Sequence, residues 1–600
     1  MLEVEKRCAM ARSGIWRICE QSIRLPAIAF VHAKRIQAPE YAELLLSRGS
    51  ESKPTLIDEG SVFLPSLAEG EITIPPDFPL PMSLRDLETN LERKGEGKAV
   101  VVHLGRLDSA REGAKQCLDL FVMGNAVQLI RHPKEFAEEI TTLRNSVGYR
   151  SLIYIPGIAT PTNLSLLCYC GGDIFDSTRV VWESRSGHKL TPEGRWPQPH
   201  SGNISCECSI CTGERTFETL LEHNYLTLIE ELERTRHHIR KGTLREFVEK
   251  RSVHDPWMIA VLRHLDLRFY DHQELHFPIS GARFSANTRE SLFRPDIARF
   301  RRRIRERYQK PKSGRVLLLL PCSARKPYSL SSSHSLFRRA VRKSGAQHLI
   351  HEVILTSPLG IVPRELELFY PAQHYDIPVT GDWSRDEISI LQEELLVYLK
   401  RNEYEHIIVH LGPEMDFVLE VLEECISTSN GVPTSPRCLS KLREELTRIG
   451  REYPIASNEE RRVEEMLSRC VFQFGEGGKE LMNSSVVRGR YPNLRIISEG
   501  RQLGMITRER GMISLTLGGG GRISGRNAYC VEIEDFYLDG NLFAVGVLDA
   551  SREIRVGDEV VIRHEKDVRG VGIALMNWKE MIESDRGEAV RVRHRVSPEE

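Results

Sequence analysis

The stretch Leu317 to His334, LLLLPCSARKPYSLSSSH, decides how the centre of this 600-residue chain is read. Four leucines after Val316 make a short apolar run without polar alternation, which suits a strand buried on both faces of an α/β sheet. The run stops at Pro321. Behind it come a thiol (Cys322), a hydroxyl (Ser323), two cationic side chains (Arg325, Lys326), a phenol (Tyr328), hydroxyls from Ser331 to Ser333 and an imidazole (His334). Reactive groups are thus crowded at the carboxyl end of a buried strand, where open α/β sheets bind their ligands.

Outward from this strand the pattern predicts a helix near Leu336–Lys343, a strand over Glu352–Thr356, a helix over Arg385–Lys400 and a strand over His406–His410. That alternation is a doubly wound α/β core. Its strands end in Pro321-Cys322-Ser323, Thr356-Ser357-Pro358 and His410-Leu411-Gly412, which should converge on one crevice. The connection from Pro358 to Trp383 is long and rich in Pro, Tyr and His, as functional loops are. Taken singly, Cys322 is as readily a small buried residue as a nucleophile, and His334 an ordinary helix residue. Beside Arg325 and Lys326 and near a helix start, however, a thiolate is favoured. Just upstream, Arg299, Arg301, Arg302, Arg303, Arg305, Arg307, Lys310, Lys312 and Arg315 face only Asp296 and Glu306. They read equally as a phosphate-neutralising cluster or as a solvated helix and linker.

The length implies three or four domains, and 40% hydrophobic with 28% charged residues describes an ordinary soluble protein. No run approaches the roughly 20 apolar residues of a membrane span. The start, MLEVEKRCAMARSGIWR, lacks the apolar core of a signal peptide, so a cytoplasmic location is expected. A net charge of -1 neither supports nor excludes nucleic acid, because a basic footprint can be local. Thirteen cysteines are spread unevenly, with three between Cys206 and Cys211, which points to metal or catalysis rather than disulfides.

In residues 1–290, strand-like runs at Ala27–Val31, Ala99–Val102, Ala126–Ile130 and Ser151–Ile155 alternate with helix-compatible sequence such as Arg111–Asp119 and Pro133–Leu143. A mostly parallel sheet follows, and the length fits a TIM-like (β/α)8 barrel, though periodicity does not separate it from an open sheet. The sharpest signal is Cys206-Glu-Cys208-Ser-Ile-Cys211, followed by a predicted helix over Thr216–Arg240 with His223 early on it. Tetrahedral zinc satisfies three such thiolates and one nitrogen. His237 and His238 share that helix, so the residues alone leave the fourth ligand open.

The segment CECSIC with LLEHNYLTLIEELERTRHHIRKGTLREFV resembles the zinc region of tRNA-guanine transglycosylases, and matching its His-Asn to His223-Asn224 implies Cys206, Cys208, Cys211 and His223 as ligands. The interval from Cys211 to His223 is shorter than in that family. Gly172-Asp173-Ile174-Phe175-Asp176 resembles the strand end carrying the transglycosylase nucleophile, which implies that role for Asp176. The family's second acidic motif has only Leu56-Ile57-Asp58-Glu59-Gly60-Ser61 as its nearest counterpart.

The central stretch, with TSPLGIVPRELE and YDIPVTGDW, resembles the archaeosine synthases through Pro321, Cys322, Ser323, Lys326, Pro327, Tyr328, Ser331 and His334. This implies a tRNA carrying 7-cyano-7-deazaguanine (preQ0) at position 15 in its D-loop, and addition of an amine, lysine or another donor, across the nitrile to give an amidine. It also implies, in some members, a radical S-adenosylmethionine partner subunit. Cys322 is the expected nucleophile, with His334 or Lys326 moving protons and Tyr328 or Arg325 holding substrate.

Residues 291–450 are therefore read as the synthase core and 455–522 as a small α+β unit. Gly518 to Gly521 would be a flexible junction or tight turn, since no Lys-Ser/Thr follows at P-loop spacing. Residues 523–597 hold closely spaced short strands that suggest a small barrel. Val556-Gly-Asp-Glu-Val560, Arg569-Gly-Val-Gly-Ile-Ala574 and Arg591-Val-Arg-His594 resemble the RNA-binding PUA domain. Gly570 and Gly572 would then let a backbone approach, while Arg569, Arg591 and Arg593 hold phosphates. The expectation is a zinc-containing, tRNA-modifying amidine synthase, with a homodimer left open. The alternatives are base exchange through Asp176 and a non-catalytic tRNA-binding scaffold.

Overall fold

The computed structural model describes residues 2–18, 21–47, 49, 51–58, 72–74, 99–102, 120–197, 206, 208, 210–211, 216–454 and 457–597. The expected helix at Arg111–Asp119 lies outside these. Two compact units divide the chain: residues 1–277 with 583–587, and residues 278–582 with 588–600. Among the described residues no helix is long and apolar enough to cross a membrane.

The first unit begins with an antiparallel meander, Leu2–Cys8, Ala11–Ile18 and Gln21–Leu25. Eight strands follow, all parallel where paired. Ala27–Val31 pairs with Leu44–Ser47 on one side and with Ile174–Asp176 on the other. First and last strands of the set are therefore neighbours, which is the cyclic order of the expected transglycosylase-like (β/α)8 barrel. Ala27 to Val31 is buried at every position because it has strand neighbours on both edges and side chains packed on both faces. One expected strand is corrected: Leu120–Met123 enters the sheet, and Ala126–Leu129 is a helical turn behind Asn125.

In the second unit Val316–Pro321 is the central strand of a five-stranded sheet, flanked in parallel by Ile350–Thr356 and His406–Val409. Its side chains alternate between two cores. Val316, Leu318 and Leu320 meet Phe337 and Val341 of helix Ser332–Ser344 and Leu442 and Leu446 of helix Pro436–Gly450. Leu317 and Leu319 join the opposite core, which holds Ile304, Leu391 and Leu395. All four leucines are fully buried, each contributing about 2 kcal/mol of transfer free energy. The chain goes to one side of this strand after Pro321 and, after the edge strand Gly360–Pro363 and helix Arg385–Arg401, to the other, so the switch point of the doubly wound sheet lies at the end that carries Cys322.

Beyond it, helix Asn458–Phe474 packs on a four-stranded antiparallel sheet running from Val486–Arg490 to Ile513–Leu515. The glycine run is not a junction. Leu517–Ser524 is a helix capped by Thr516, whose hydroxyl accepts from the Gly519 amide. A β-carbon on Gly519 would lie 2.0 Å from the Leu503 carbonyl oxygen and one on Gly520 2.7 Å from Val571, so glycine here is the condition for close packing. The last six strands form one sheet, with Cys530–Ile533 parallel to Glu559–His564 and the remaining pairs antiparallel.

Candidate functional site

Sheet register brings the parts of the central site together. Pro321 pairs with Leu355, so Cys322 follows the end of its strand beside Thr356. Cys322 is half-buried, and burial pushes its thiol above the usual range against the opposing pull of the Thr356 hydroxyl and the Lys326 ammonium. Lys326 is buried, its Nζ 4.0 Å above the Tyr375 ring. Desolvation lowers its pKa, opposed by Cys322 and Asp376. The pair therefore comprises a thiol that holds its proton and an amine inclined to lose one. The expectation of a thiolate already favoured by neighbouring cations is corrected: desolvation outweighs them, and Arg325 lies exposed.

Tyr328 is fully buried, its hydroxyl 2.7 Å from that of Tyr375, which in turn lies 2.5 Å from Thr356 Oγ1. Three hydroxyls thus form a chain beside the thiol, two of them from residues the sequence quoted without assigning a role. Ser331 caps helix Ser332–Ser344 by accepting from the His334 amide, while the Ser323 hydroxyl donates to the Arg325 carbonyl. Both serve the loop's own conformation.

His334 also departs from expectation. Arg364 Nη2 lies 2.6 Å from its Nδ1, and a guanidinium can only donate. Nδ1 is therefore the acceptor, and Nε2–H donates to the Pro321 carbonyl at 3.0 Å. Burial and Arg364 push its pKa down to about 2. With Nδ1 accepting from Arg364 and Nε2–H donating to Pro321, this neutral imidazole brackets the end of the central strand. Arg364 is itself held by Glu352 and Glu367, and Glu367 accepts from the Ser329 amide at 2.8 Å. None of these three could be assigned from sequence, because they reach the loop only through folding.

The barrel's candidate nucleophile, Asp176, is 1% exposed and fully engaged. Its Oδ2 accepts from the Tyr154 hydroxyl at 2.6 Å and the Gly157 amide at 2.7 Å, its Oδ1 from the Thr178 amide at 2.7 Å. Its expected partner motif continues outside the described residues.

Cys206, Cys208, Cys211 and His223 offer ligand atoms that all lie within 4.8 Å of one another, a set that can hold a metal ion. The distances from His223 Nδ1 to the three sulfurs are 3.8, 3.5 and 3.5 Å, close to the roughly 3.5 Å edge of a tetrahedron built on zinc bond lengths. Helix Phe217–Lys241, capped by Thr216, places His223 within its first two turns. Its Nε2 is 3.3 Å from the Leu190 carbonyl oxygen, the outer contact that orients a ligating imidazole. Asn224 bonds the Leu190 amide and the His188 carbonyl, and Lys189 Nζ lies 3.7 Å from the Cys211 sulfur. His238 is turned away, stacked 4.2 Å from Phe247.

Of the residues expected to meet RNA, Arg591 is exposed. Arg593 is committed to Glu559 and the Leu515 carbonyl, and Arg569 to Asp535 with its guanidinium 4.3 Å over Tyr537. A β-carbon on Gly570 would meet Leu538 at 2.7 Å, and one on Gly572 the Arg591 carbonyl oxygen at 2.3 Å, so both serve the sheet's own packing. The basic connector is likewise largely consumed. Arg299 and Arg301 donate to the Pro278 and Pro358 carbonyls, and Arg305 pairs with Glu393 and Glu394.

Comparison with known proteins matches residues 102–255 to the queuine tRNA-ribosyltransferase family, 297–446 to a domain family of unknown function and 531–596 to the PUA domain. The archaeosine synthase subunit alpha of Methanosarcina acetivorans is 36% identical over 80% of this chain and 80% of its own. The archaeosine synthase of Haloferax volcanii is 36% identical over 79% of this chain and 82% of its own. The tRNA-guanine(15) transglycosylase of Methanothermobacter thermautotrophicus is 24% identical over 99% of this chain and 98% of its own.

Proposed function

The chain belongs to the archaeosine synthase family, and from that premise we propose that it adds the amine of lysine to the nitrile of preQ0 at position 15 of tRNA, giving an amidine. The observation that carries this reading is the Cys322 and Lys326 pair at the switch point of the central sheet, a half-buried thiol beside a buried amine.

A nitrile carbon is a modest electrophile, so attack needs a strong nucleophile and a proton for the nitrogen. Lys326, as the neutral amine, takes the Cys322 proton. The sulfur bonds to the nitrile carbon as one C≡N π bond breaks, and the proton passes to nitrogen, giving a thioimidate. The substrate amine then adds to that carbon, giving up one N–H proton to the neutral Lys326, and the thiolate leaves and takes that proton back from the lysine. In sum an N–H bond adds across the nitrile and nothing else is consumed. The Tyr328, Tyr375 and Thr356 hydroxyls supply donors beside the reacting sulfur. The amidine keeps the whole lysine skeleton, so releasing archaeosine requires cleavage of a C–N bond by a second enzyme, for which a radical S-adenosylmethionine partner is suited. Zinc at the three cysteines and His223 would brace the barrel domain.

Incubation of the purified protein with preQ0-bearing tRNA and lysine, followed by nucleoside mass analysis, tests the reading. A lysine-amidine nucleoside is expected with the native protein and none with Cys322→Ala. Full product from Cys322→Ala would replace the covalent route with direct amine attack. Labelled-guanine exchange that survives in Cys322→Ala would instead indicate base exchange. The three donors on Asp176 do not favour that outcome.

A further inference from the structure

Away from the sulfur, the small α+β region holds a cavity of about 330 Å³ lined by Arg462, Glu465 and Arg469 of helix Asn458–Phe474 and by Gly489, Arg490, Tyr491 and Leu494 of the facing hairpin. Arg469 forms its floor and is only 3% exposed. Its Nε donates to the Glu365 carbonyl at 2.9 Å, its Nη2 stands 3.9 Å from Glu465, and its Nη1 is buried without any hydrogen-bond acceptor. The Arg469 charge therefore lies beneath the cavity lining, where it attracts an anion that enters. Glu465 makes no hydrogen bond to Arg469: its Oε1 accepts from Arg461 at 3.0 Å and its Oε2 stands 3.9 Å from Arg469 Nη2. At the mouth, Arg462 donates to the Gly489 carbonyl at 2.6 Å with one nitrogen, and Arg490 is exposed on the strand. The wall is fixed by Tyr491, whose hydroxyl donates to the buried Glu367, the carboxylate that also holds the Ser329 amide.

We infer that this three-arginine pocket seats a backbone phosphate of the tRNA, an inference that rests on the substrate class argued above. Arginine matches phosphate because its planar fork donates two parallel hydrogen bonds to two oxygens, and a floor arginine that is already positioned loses little freedom on binding. Such a contact carries no base information and sets where the RNA lies on the protein. Through Tyr491, Glu367 and Ser329 the seat is joined to the loop of Cys322 and Lys326, so phosphate docking and the reactive loop share one rigid support.

The test uses the full chain, unmodified tRNA transcript and equilibrium binding across a salt series, with inorganic phosphate titrated separately. The double variant Arg462→Ala/Arg490→Ala should bind the transcript on the order of tenfold more weakly, with a salt slope lower by about 1, and with an unchanged unfolding midpoint. Arg469→Gln should give the same loss if it folds; the rim variant carries the test if it does not. Unchanged affinity and slope in the rim variant, while native protein binds normally, overturns the seat and leaves the functional reading standing. Weakened binding of inorganic phosphate with unaltered tRNA binding overturns the RNA occupant in favour of a free oxyanion. Failure of the native protein to bind tRNA at all overturns the functional reading and this inference with it.

Discussion

Lys326 and Cys322 are displaced from their ordinary titration behaviour in opposite directions by the same cause, burial, and that sets how the first step responds to pH. The lysine must be neutral to accept the thiol proton, so adduct formation should accelerate as pH rises through its depressed pKa. Measured with preQ0-tRNA and no amine present, by mass of the protein–RNA adduct, this limb should vanish in Lys326→Met. An unchanged profile in that variant would remove lysine from the step. His334 makes the opposite statement. Its pKa of about 2 in the fold against the ordinary 6.5 of a histidine means that the unfolded chain binds the extra proton first, so its contribution to stability is complete above 6.5 and is lost as pH falls. Between pH 7 and 5 this one group should cost about 2 kcal/mol in denaturant unfolding. His334→Gln, which can accept from Arg364 and donate to the Pro321 carbonyl, should flatten that dependence and retain turnover. Loss of all turnover with native stability would restore a proton-transfer role. The residue types of this loop were legible in sequence, since Pro321 to His334 are contiguous. Their roles were not, because the groups that fix those roles, Arg364, Tyr375 and Thr356, arrive through sheet register and a long connection.

Helix Leu517–Ser524 shows how an element can be misread when composition stands in for packing. Four consecutive glycines carry the lowest helix propensity apart from proline and read as a break. Yet Gly519 and Gly520 face the Leu503 backbone and Val571, where any side chain would collide, and the helix survives through its Thr516 cap and this contact. Gly519→Ala should therefore destabilise the protein by about 3 kcal/mol. A β-carbon on Gly521 meets nothing within 4 Å, so Gly521→Ala should stabilise by about 0.5–1 kcal/mol through helix propensity. Paired urea titrations check both signs. Equal effects at the two positions would mean that propensity, not contact, governs this helix. Elements with ordinary periodicity were legible: the buried run at Val316–Leu320 and helix Arg385–Arg401 appear where the pattern put them. The amino-terminal meander was missed because Leu2–Cys8 exposes much of its surface and alternates too weakly to announce a strand.

At the scale of the whole molecule, alternating strands and helices made the barrel and the doubly wound core readable, while the extent of their cores was not. Residues 278–582 with 588–600 form one compact unit whose larger apolar core runs from Phe300 through Phe472 to Val561 and Val590. Polar ties cross it too: Arg307 donates to the Tyr529 hydroxyl, and buried Glu559 receives the Leu515 amide and Arg593. Removing residues 523–600 would open this core, so a truncation cannot separate RNA binding from folding and point variants are required. The first unit has its own core, from Trp16 to Phe277, and contains the cysteine and histidine cluster. A metal held there would tie Cys206, Cys208 and Cys211 to helix Phe217–Lys241, and because unfolded chain holds no such site, its binding energy would be folding energy for that unit. Calorimetry of the native protein should show two transitions. Chelation of the metal, or Cys208→Ser, should lower the one belonging to residues 1–277 by about 5 °C or more and leave the other in place. Metal analysis should find stoichiometric zinc before chelation and none after. A shift of both transitions together would mean that the units unfold as one, and no shift with zinc removed would strip the cluster of its structural role.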